Sequence, residues 1–362
     1  MTELSDLPIR DDLRGHVPYG APQIHVPVQL NVNENTHGIP AEVVAEIVAD
    51  LADAVAGANR YPDREFVELR ERLADYLGHG LGPDQLWAAN GSNEVIQQFL
   101  QAFGGPGRSV LAFPPTYSMH SLLVEANYSR WIPAERGPGW EITPELAVAA
   151  VERERPDIVF LCKPNNPTGT GLGLDVVEAV YDAHPGMLLV DEAYAEFESG
   201  PSALALLPGR PRLVVSRTMS KAFAFAGVRL GYLAADPAVV DAFRLVRLPY
   251  HLSALTQAAA IAALRSAPAM LAQVDAIKRE RDRMARELAS LGYEPWPSES
   301  NFVLFGGVAD PRATFEALIA AGVIVRDVGI PHTLRVTAGT AQETDAFLGA
   351  LAALGPVARL GR

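Results

Sequence analysis

Thr218 to Gly231 reads TMSKAFAFAGVRLG and sets a single lysine, Lys221, among small and apolar residues, with Ser220 before it and Arg229 eight residues on. A buried ammonium is costly unless it is paired or sheds its proton. The stretch carries fewer charges than a surface helix would. Lys221 is therefore either a solvated loop residue or an amine held near neutrality for chemistry.

Other side chains fit for chemistry stand just after short apolar runs. LWAA (86–89) leads into Asn90-Gly91-Ser92-Asn93-Glu94, a helix start that offers free N–H groups and a positive dipole end to a phosphate. SVLAF (109–113) leads into PPTY, which positions Tyr117. DIVFLC (157–162) leads into KPNNPTG, where Asn166 can aim its amide at a ligand or simply start a turn. MLLV is followed by Asp191-Glu192-Ala193-Tyr194, and a carboxylate ending a buried strand calls for a cationic partner. RLVVS (212–216) runs into TMSK, with Thr218 and Ser220. Singly, each is explained by an ordinary cap, turn or surface acid. Their order along the chain is the stronger signal.

The elements that must position these groups follow from the same pattern. Runs such as MLLVDE (187–192) and LGYLA (230–234) are apolar throughout rather than alternating, as strands buried on both faces are. Helical stretches separate them, which predicts an α/β fold with a mostly parallel sheet wrapped in helices. Before the sheet, Val43, Val44, Ile47, Val48 and Leu51 recur at helical spacing after Pro40, and a second helix is expected from Asp63 as N-cap to Gly78. Residues before about 40 read as an extended arm. A long helical stripe from Met270 to Leu291 ends at Gly292. It is followed by NFVLF (301–305), a helix near 312–321, the strands VIVRDV (323–328) and TLRVT (333–337), and a terminal helix over 341–353. The expected division is a large unit over 41–275 and a smaller α+β unit made of 1–40 and 276–362.

Composition narrows the function classes. At 362 residues the chain suits two domains. A formal charge of −13 argues against nucleic acid as partner. No apolar run approaches a membrane span, and MTELSDLPIRDDLRG is unlike a secretory or transit peptide. One cysteine, Cys162, excludes an internal disulfide and fits a reducing, cytoplasmic setting. The eight histidines show no metal-ligand spacing, and no metal is expected. GTGLG (169–173) lacks the setting of a dinucleotide loop, and GGPGRS (104–109) lacks a phosphate-loop lysine. His120 and His251 are assigned no ligand role.

NPTG, then DEAY, then SKAFAFAGVRLG, in that order, resembles the fold-type I, pyridoxal-phosphate (PLP)-dependent aminotransferases of class I and II. With LNVNEN (30–35), RYPD (60–63), NGSNEVIQQ (90–98), PPTYSMH (114–120), SNFVLF (300–305) and LRVTAG (334–339), the whole chain is similar to the histidinol-phosphate aminotransferase family. The resemblance implies that Lys221 would form the Schiff base with PLP and then shuttle a proton, which needs an amine deprotonated near neutral pH. Asp191 would pair with the pyridine nitrogen. Asn166 and Tyr194 would hold the ring oxygen, and Tyr117 would stack on the ring. Ser92, Asn93, Thr218, Ser220 and Arg229 would hold the cofactor phosphate. Tyr61 would reach the phosphate of the neighbouring subunit's cofactor, making the active unit a homodimer.

On the substrate side, Arg335 in TLRVT and Arg326 in VIVR offer two guanidinium groups, suited to a phosphate monoester. Tyr19 and Asn35 of the arm would stand near the cavity mouth, although Thr36 replaces the proline that often follows in the family. The implied reaction moves an amino group between L-histidinol phosphate and 2-oxoglutarate, in histidine biosynthesis. The rival on the same scaffold is an aromatic amino acid aminotransferase, and Arg326 separates the two. A PLP-dependent decarboxylase and a non-catalytic cofactor-binding protein are further alternatives.

Overall fold

The computed structural model describes residues 4–11, 14, 15, 20 and 22–360. Its strands are β1 Val28–Gln29, β2 Leu86–Ala89, β3 Ser109–Ala112, β4 Arg130–Pro133, β5 Ile158–Cys162, β6 Met187–Asp191, β7 Leu213–Thr218, β8 Gly231–Ala235, β9 Glu294–Pro295, β10 Phe302–Gly306, β11 Val323–Ile324 and β12 Leu334–Thr337. Seven of them form one sheet in the order β2-β8-β7-β6-β5-β3-β4. Within it β7, β6, β5, β3 and β4 run parallel, and β8 is antiparallel to both its neighbours. The apolar runs became its central strands because both faces are covered by helices. β4 has no such run. It is an edge strand, and of its four residues only Ile132 is buried.

The parallel strands bring Ala89, Ala112, Cys162, Asp191 and Thr218 to one edge of the sheet, where ligands sit in open α/β folds. Gly231, at the start of β8, lies between Ala89 and Thr218 at that edge.

A smaller antiparallel sheet has the order β12-β10-β9, and β11 pairs in parallel with β1. The arm thus contributes a strand where only extended chain was expected. Its Leu30 is 1% exposed and packs with Val303, Phe305, Val336 and Leu351 in a second core. Burying such a leucine contributes about 2 kcal/mol. The core around the large sheet draws on residues from Val43 to Met270.

Three expectations shift at their boundaries. Asp63 accepts hydrogen bonds from the amides of Glu65 and Val67, but the helix it introduces starts only at Val67, after Phe66 in a left-handed conformation. The stripe from Met270 is divided between helices Ala267–Leu271 and Val274–Ser290. VIVRDV forms a strand only over Val323–Ile324, then an isolated bridge at Arg326. No helix among the described residues is long and apolar enough to cross a membrane.

Candidate active site

A cavity of about 560 Å³ opens at the carboxyl edge of the large sheet. Asp191, 2% exposed, lies at its base. One carboxylate oxygen accepts from the Ser216 hydroxyl at 3.2 Å, and the other lies 3.1 Å from His120 Nε2. His120 is fully buried on helix Ser118–Ala126, edge-on to the Tyr117 and Phe160 rings. Its Nδ1 has no hydrogen-bond partner among the described residues. The contact with the carboxylate oxygen is satisfied by the tautomer that carries its proton on Nε2 and donates it to Asp191. Sequence reasoning missed this contact. The available signal was the helical i, i+3 spacing from Tyr117 to His120 in PPTYSMH.

Tyr194 is buried, and its hydroxyl accepts from Asn166 Nδ2 at 3.1 Å and Asn33 Nδ2 at 2.9 Å. Burial pushes its phenol pKa up, with Arg335 and Asn33 opposing the shift. Asn166 Oδ1 accepts from Arg335 Nη1 at 2.6 Å. Arg335 also donates to the Asn31 carbonyl at 2.9 Å and stands 5.1 Å from the Phe302 ring centroid. Tyr194, Asn166 and Arg335 thus form one hydrogen-bonded chain, to which the arm adds Asn33.

Lys221 lines the cavity and donates from Nζ to the Val32 carbonyl at 3.1 Å. Burial is the main cause that pushes its amine pKa down, to about 8. Arg335 adds to the shift, Glu34 opposes it and Arg229 contributes less. The amine is thus held near neutrality, as one of the two sequence readings required. The leading cation is Arg335, on the distant strand β12, rather than the nearby Arg229.

The opposite side of the cavity is a cup of backbone and small polar side chains. Helix Ser92–Phe103 opens there, with Ser92 and Asn93 facing Thr218, Ser220 and Arg229 around the same cavity. The Thr218 and Ser220 hydroxyls are 3.0 Å apart. Two glycines make the close approach possible. A Cβ on Gly231 would fall 2.2 Å from the Ser92 amide nitrogen. Gly91 has φ 86°, and a Cβ there would fall 2.4 Å from Arg229 Nη2.

Arg326 and Arg335 are directly opposed in an antiparallel bridge, each backbone N–H reaching the other's carbonyl at 2.9 and 2.8 Å. Such pairs project their side chains on one face, and both arginines line the cavity. Tyr117 lines it too. Asn35 instead gives its amide to the Ala222 carbonyl and accepts from the His37 amide. Among the arm's asparagines, Asn31 and Asn33 line the cavity. Tyr61 is 80% exposed and does not line its own chain's cavity; its ring stacks on Tyr250 at 4.4 Å. Tyr19 lies outside the described residues.

The family described as "Aminotransferase class I and II" matches residues 26–351. This chain belongs to the class I and II aminotransferases. Among similar relatives is a histidinol-phosphate aminotransferase of Paenarthrobacter aurescens, 60% identical, covering 98% of this chain and 96% of the relative. Another, from Mycolicibacterium smegmatis, is 56% identical over 97% and 94% of the two chains. A solved histidinol-phosphate aminotransferase from Sinorhizobium meliloti, in complex with pyridoxal-5'-phosphate, superposes with a TM-score of 0.81. Its identity is 26%, over 91% of this chain and 92% of that one.

PLP, the cofactor of this aminotransferase family, is chemically suited to the residues present. Ser92 and Asn93 open a helix whose first N–H groups, with the Thr218 and Ser220 hydroxyls and the Arg229 guanidinium, offer donors around the cavity. The two glycines leave room where a Cβ would fill the cup. Such a cradle suits a phosphate, while Asp191 and Lys221 offer the carboxylate and amine that the pyridine nitrogen and the aldehyde require.

Proposed function

We propose that the chain transfers an amino group between L-histidinol phosphate and 2-oxoglutarate, using PLP, in histidine biosynthesis. The observation that carries this reading is the cross-strand pairing of Arg326 with Arg335 at the cavity wall. Two guanidinium groups on one face suit a phosphate dianion, whereas an α-carboxylate needs only one. The same anchor serves a carboxylate of glutamate or 2-oxoglutarate. The names of the relatives at 60% and 56% identity support the same substrate.

Each side chain then has a task. Bound PLP supplies an electron sink on which an amine and an oxo group can be exchanged. Lys221 anchors the cofactor and moves the proton at the substrate Cα. A pKa of about 8 leaves its amine able to do both near neutral pH. Asp191, oriented by His120 and Ser216, holds the pyridine nitrogen protonated. Asn166 and Tyr194 bind the ring oxygen, and Tyr117 covers a ring face. Ser92, Asn93, Thr218, Ser220 and Arg229 bind the phosphate.

The working unit is a cytoplasmic homodimer in which Tyr61 of the partner subunit completes the phosphate cup. Exposed Val44, Val48 and Val55 on helix Ala41–Ala56, with exposed Leu245, Leu248 and Leu255, supply apolar surface that a partner would cover. The division into 41–275 and 1–40 with 276–362 is supported by the separate cores around the two larger sheets, which a third cluster from Tyr194 to Ala338 joins across the boundary.

A half-reaction tests the reading. Histidinol phosphate, added without an oxo-acid acceptor, should discharge the lysine-linked cofactor absorbance rapidly and at low concentration, with phenylalanine far slower. A preference for phenylalanine would move the substrate to the aromatic amino acids and leave Lys221 and Asp191 in place.

A further inference from the structure

The arm segment from Asn31 to Asn35 is tied down at almost every residue. The Asn31 carbonyl accepts from Arg335 at 2.9 Å, and the Val32 carbonyl accepts from Lys221 at 3.1 Å. Asn33, at φ 57°, reaches Tyr194 through its amide, while its side chain and backbone also bond Thr337 and Asn301. Asn35 bonds the Ala222 carbonyl. Between these two clamps, Glu34 lines the cavity and is itself exposed. Its charge acts favourably on the Lys221 ammonium.

The other carboxylates lining the cavity are already engaged. Asp191 is held by His120 and Ser216, and Asp327 accepts from the Gly329 amide at 2.9 Å. The Glu34 carboxylate makes no hydrogen bond or ion pair among the described residues. The segment therefore orders three groups along one short stretch: the arginine anchor at Asn31, the reacting amine at Val32, and a carboxylate at Glu34. Three residues of extended chain span at most about 10 Å, the scale of a small substrate. Histidinol phosphate carries its phosphate and its imidazole on opposite sides of the carbon that bears the amine.

We infer that Glu34 is a specificity residue that accepts a hydrogen bond from the imidazole N–H of the substrate. This rests on the histidinol phosphate reading above. An imidazole N–H placed against a carboxylate makes a charge-assisted hydrogen bond. A phenyl ring in the same place offers no donor. Glutamate places a second carboxylate on that side when its other carboxylate occupies the arginine anchor, and Glu34 repels it. One side chain thus favours the phosphorylated substrate and opposes the small diacid.

Glu34→Gln tests this by a divergence between substrates. Its kcat/KM with histidinol phosphate should fall roughly 10- to 100-fold, the size of a lost charged hydrogen bond. Its kcat/KM with glutamate should hold or rise. In a Lys221→Ala background, which removes turnover, calorimetry should find histidinol phosphate bound at least tenfold more weakly once Glu34→Gln is added. Glu34→Asp should recover part of the preference. Parallel losses with both substrates would overturn the inference and assign Glu34 to tuning Lys221 or holding the arm. No loss with histidinol phosphate would overturn it as well. The unsubstituted chain is assayed first with phenylalanine, so failure of the underlying substrate reading shows separately.

Discussion

At one end of the cavity, Ser92, Asn93, Thr218, Ser220 and Arg229 come from two turns that β2, β7 and β8 hold side by side. At the other end, Arg326 and Arg335 sit on the small unit and meet an arm some 300 residues earlier in the chain, as the 304-residue separation of Arg335 and Asn31 illustrates. The cup is built on the large core, with glycines permitting backbone contact. The anchor exists only where the arm docks through Leu30 and β1. On the proposed reading, the phosphate cup therefore rests on one core, and substrate recognition on the joining of the arm and both sheets.

Lys221 belongs to both ends, and its replacement has the largest expected effect. Lys221→Ala should retain PLP noncovalently but lose turnover by on the order of 10⁴-fold or more. Cofactor absorbance and single-turnover assays would read the two separately; retained turnover would sink the assigned role.

Arg335→Ala comes next. It removes the anchor together with contacts to Asn166 and Asn31, and kcat/KM should fall roughly 10²- to 10³-fold in both half-reactions. Arg326→Ala should cost less, and more with the phosphate substrate than with glutamate. Equal losses would argue against two-point phosphate binding.

Two core substitutions separate the ends directly. Gly231→Ala drives a methyl into the Ser92 amide and should cost about 2–3 kcal/mol of stability, with weaker PLP binding by equilibrium titration. Leu30→Ala should cost about 2–4 kcal/mol but raise KM for the amino donor while leaving PLP affinity near that of the parent. If Leu30→Ala weakened PLP and substrate alike, the division between the two ends would fail.

The smallest expected effect is one of pH. Below about 8 the Lys221 amine is protonated in the folded chain, and an ammonium cannot capture an aldehyde. Covalent PLP capture by apoenzyme should rise about tenfold per pH unit and level off above 8. A rise continuing toward the ordinary lysine range would show that burial and Arg335 do not lower this pKa.

Much of the large unit was legible because its signals are local. Strands buried on both faces announce themselves as apolar runs, so the groups at their ends, from Ser92 to Lys221, could be read in order. The edge strand β4 has one buried residue and left no such mark. Arg335 was visible by alternation in TLRVT, but the bridge that turns Arg326 to the same face depends on register between chain segments.

The sequence alone determined the α/β class, singled out Lys221 and Asp191, and carried the aminotransferase resemblance, since these rest on local motifs and on their order along the chain. Only the tertiary structure decided that His120 braces Asp191, that Asn33 reaches Tyr194, and that Arg335 more than Arg229 tunes the Lys221 amine. Those outcomes are set by distances between side chains on different elements. Residue type and spacing do not specify such distances until two cores have packed and the arm lies between them.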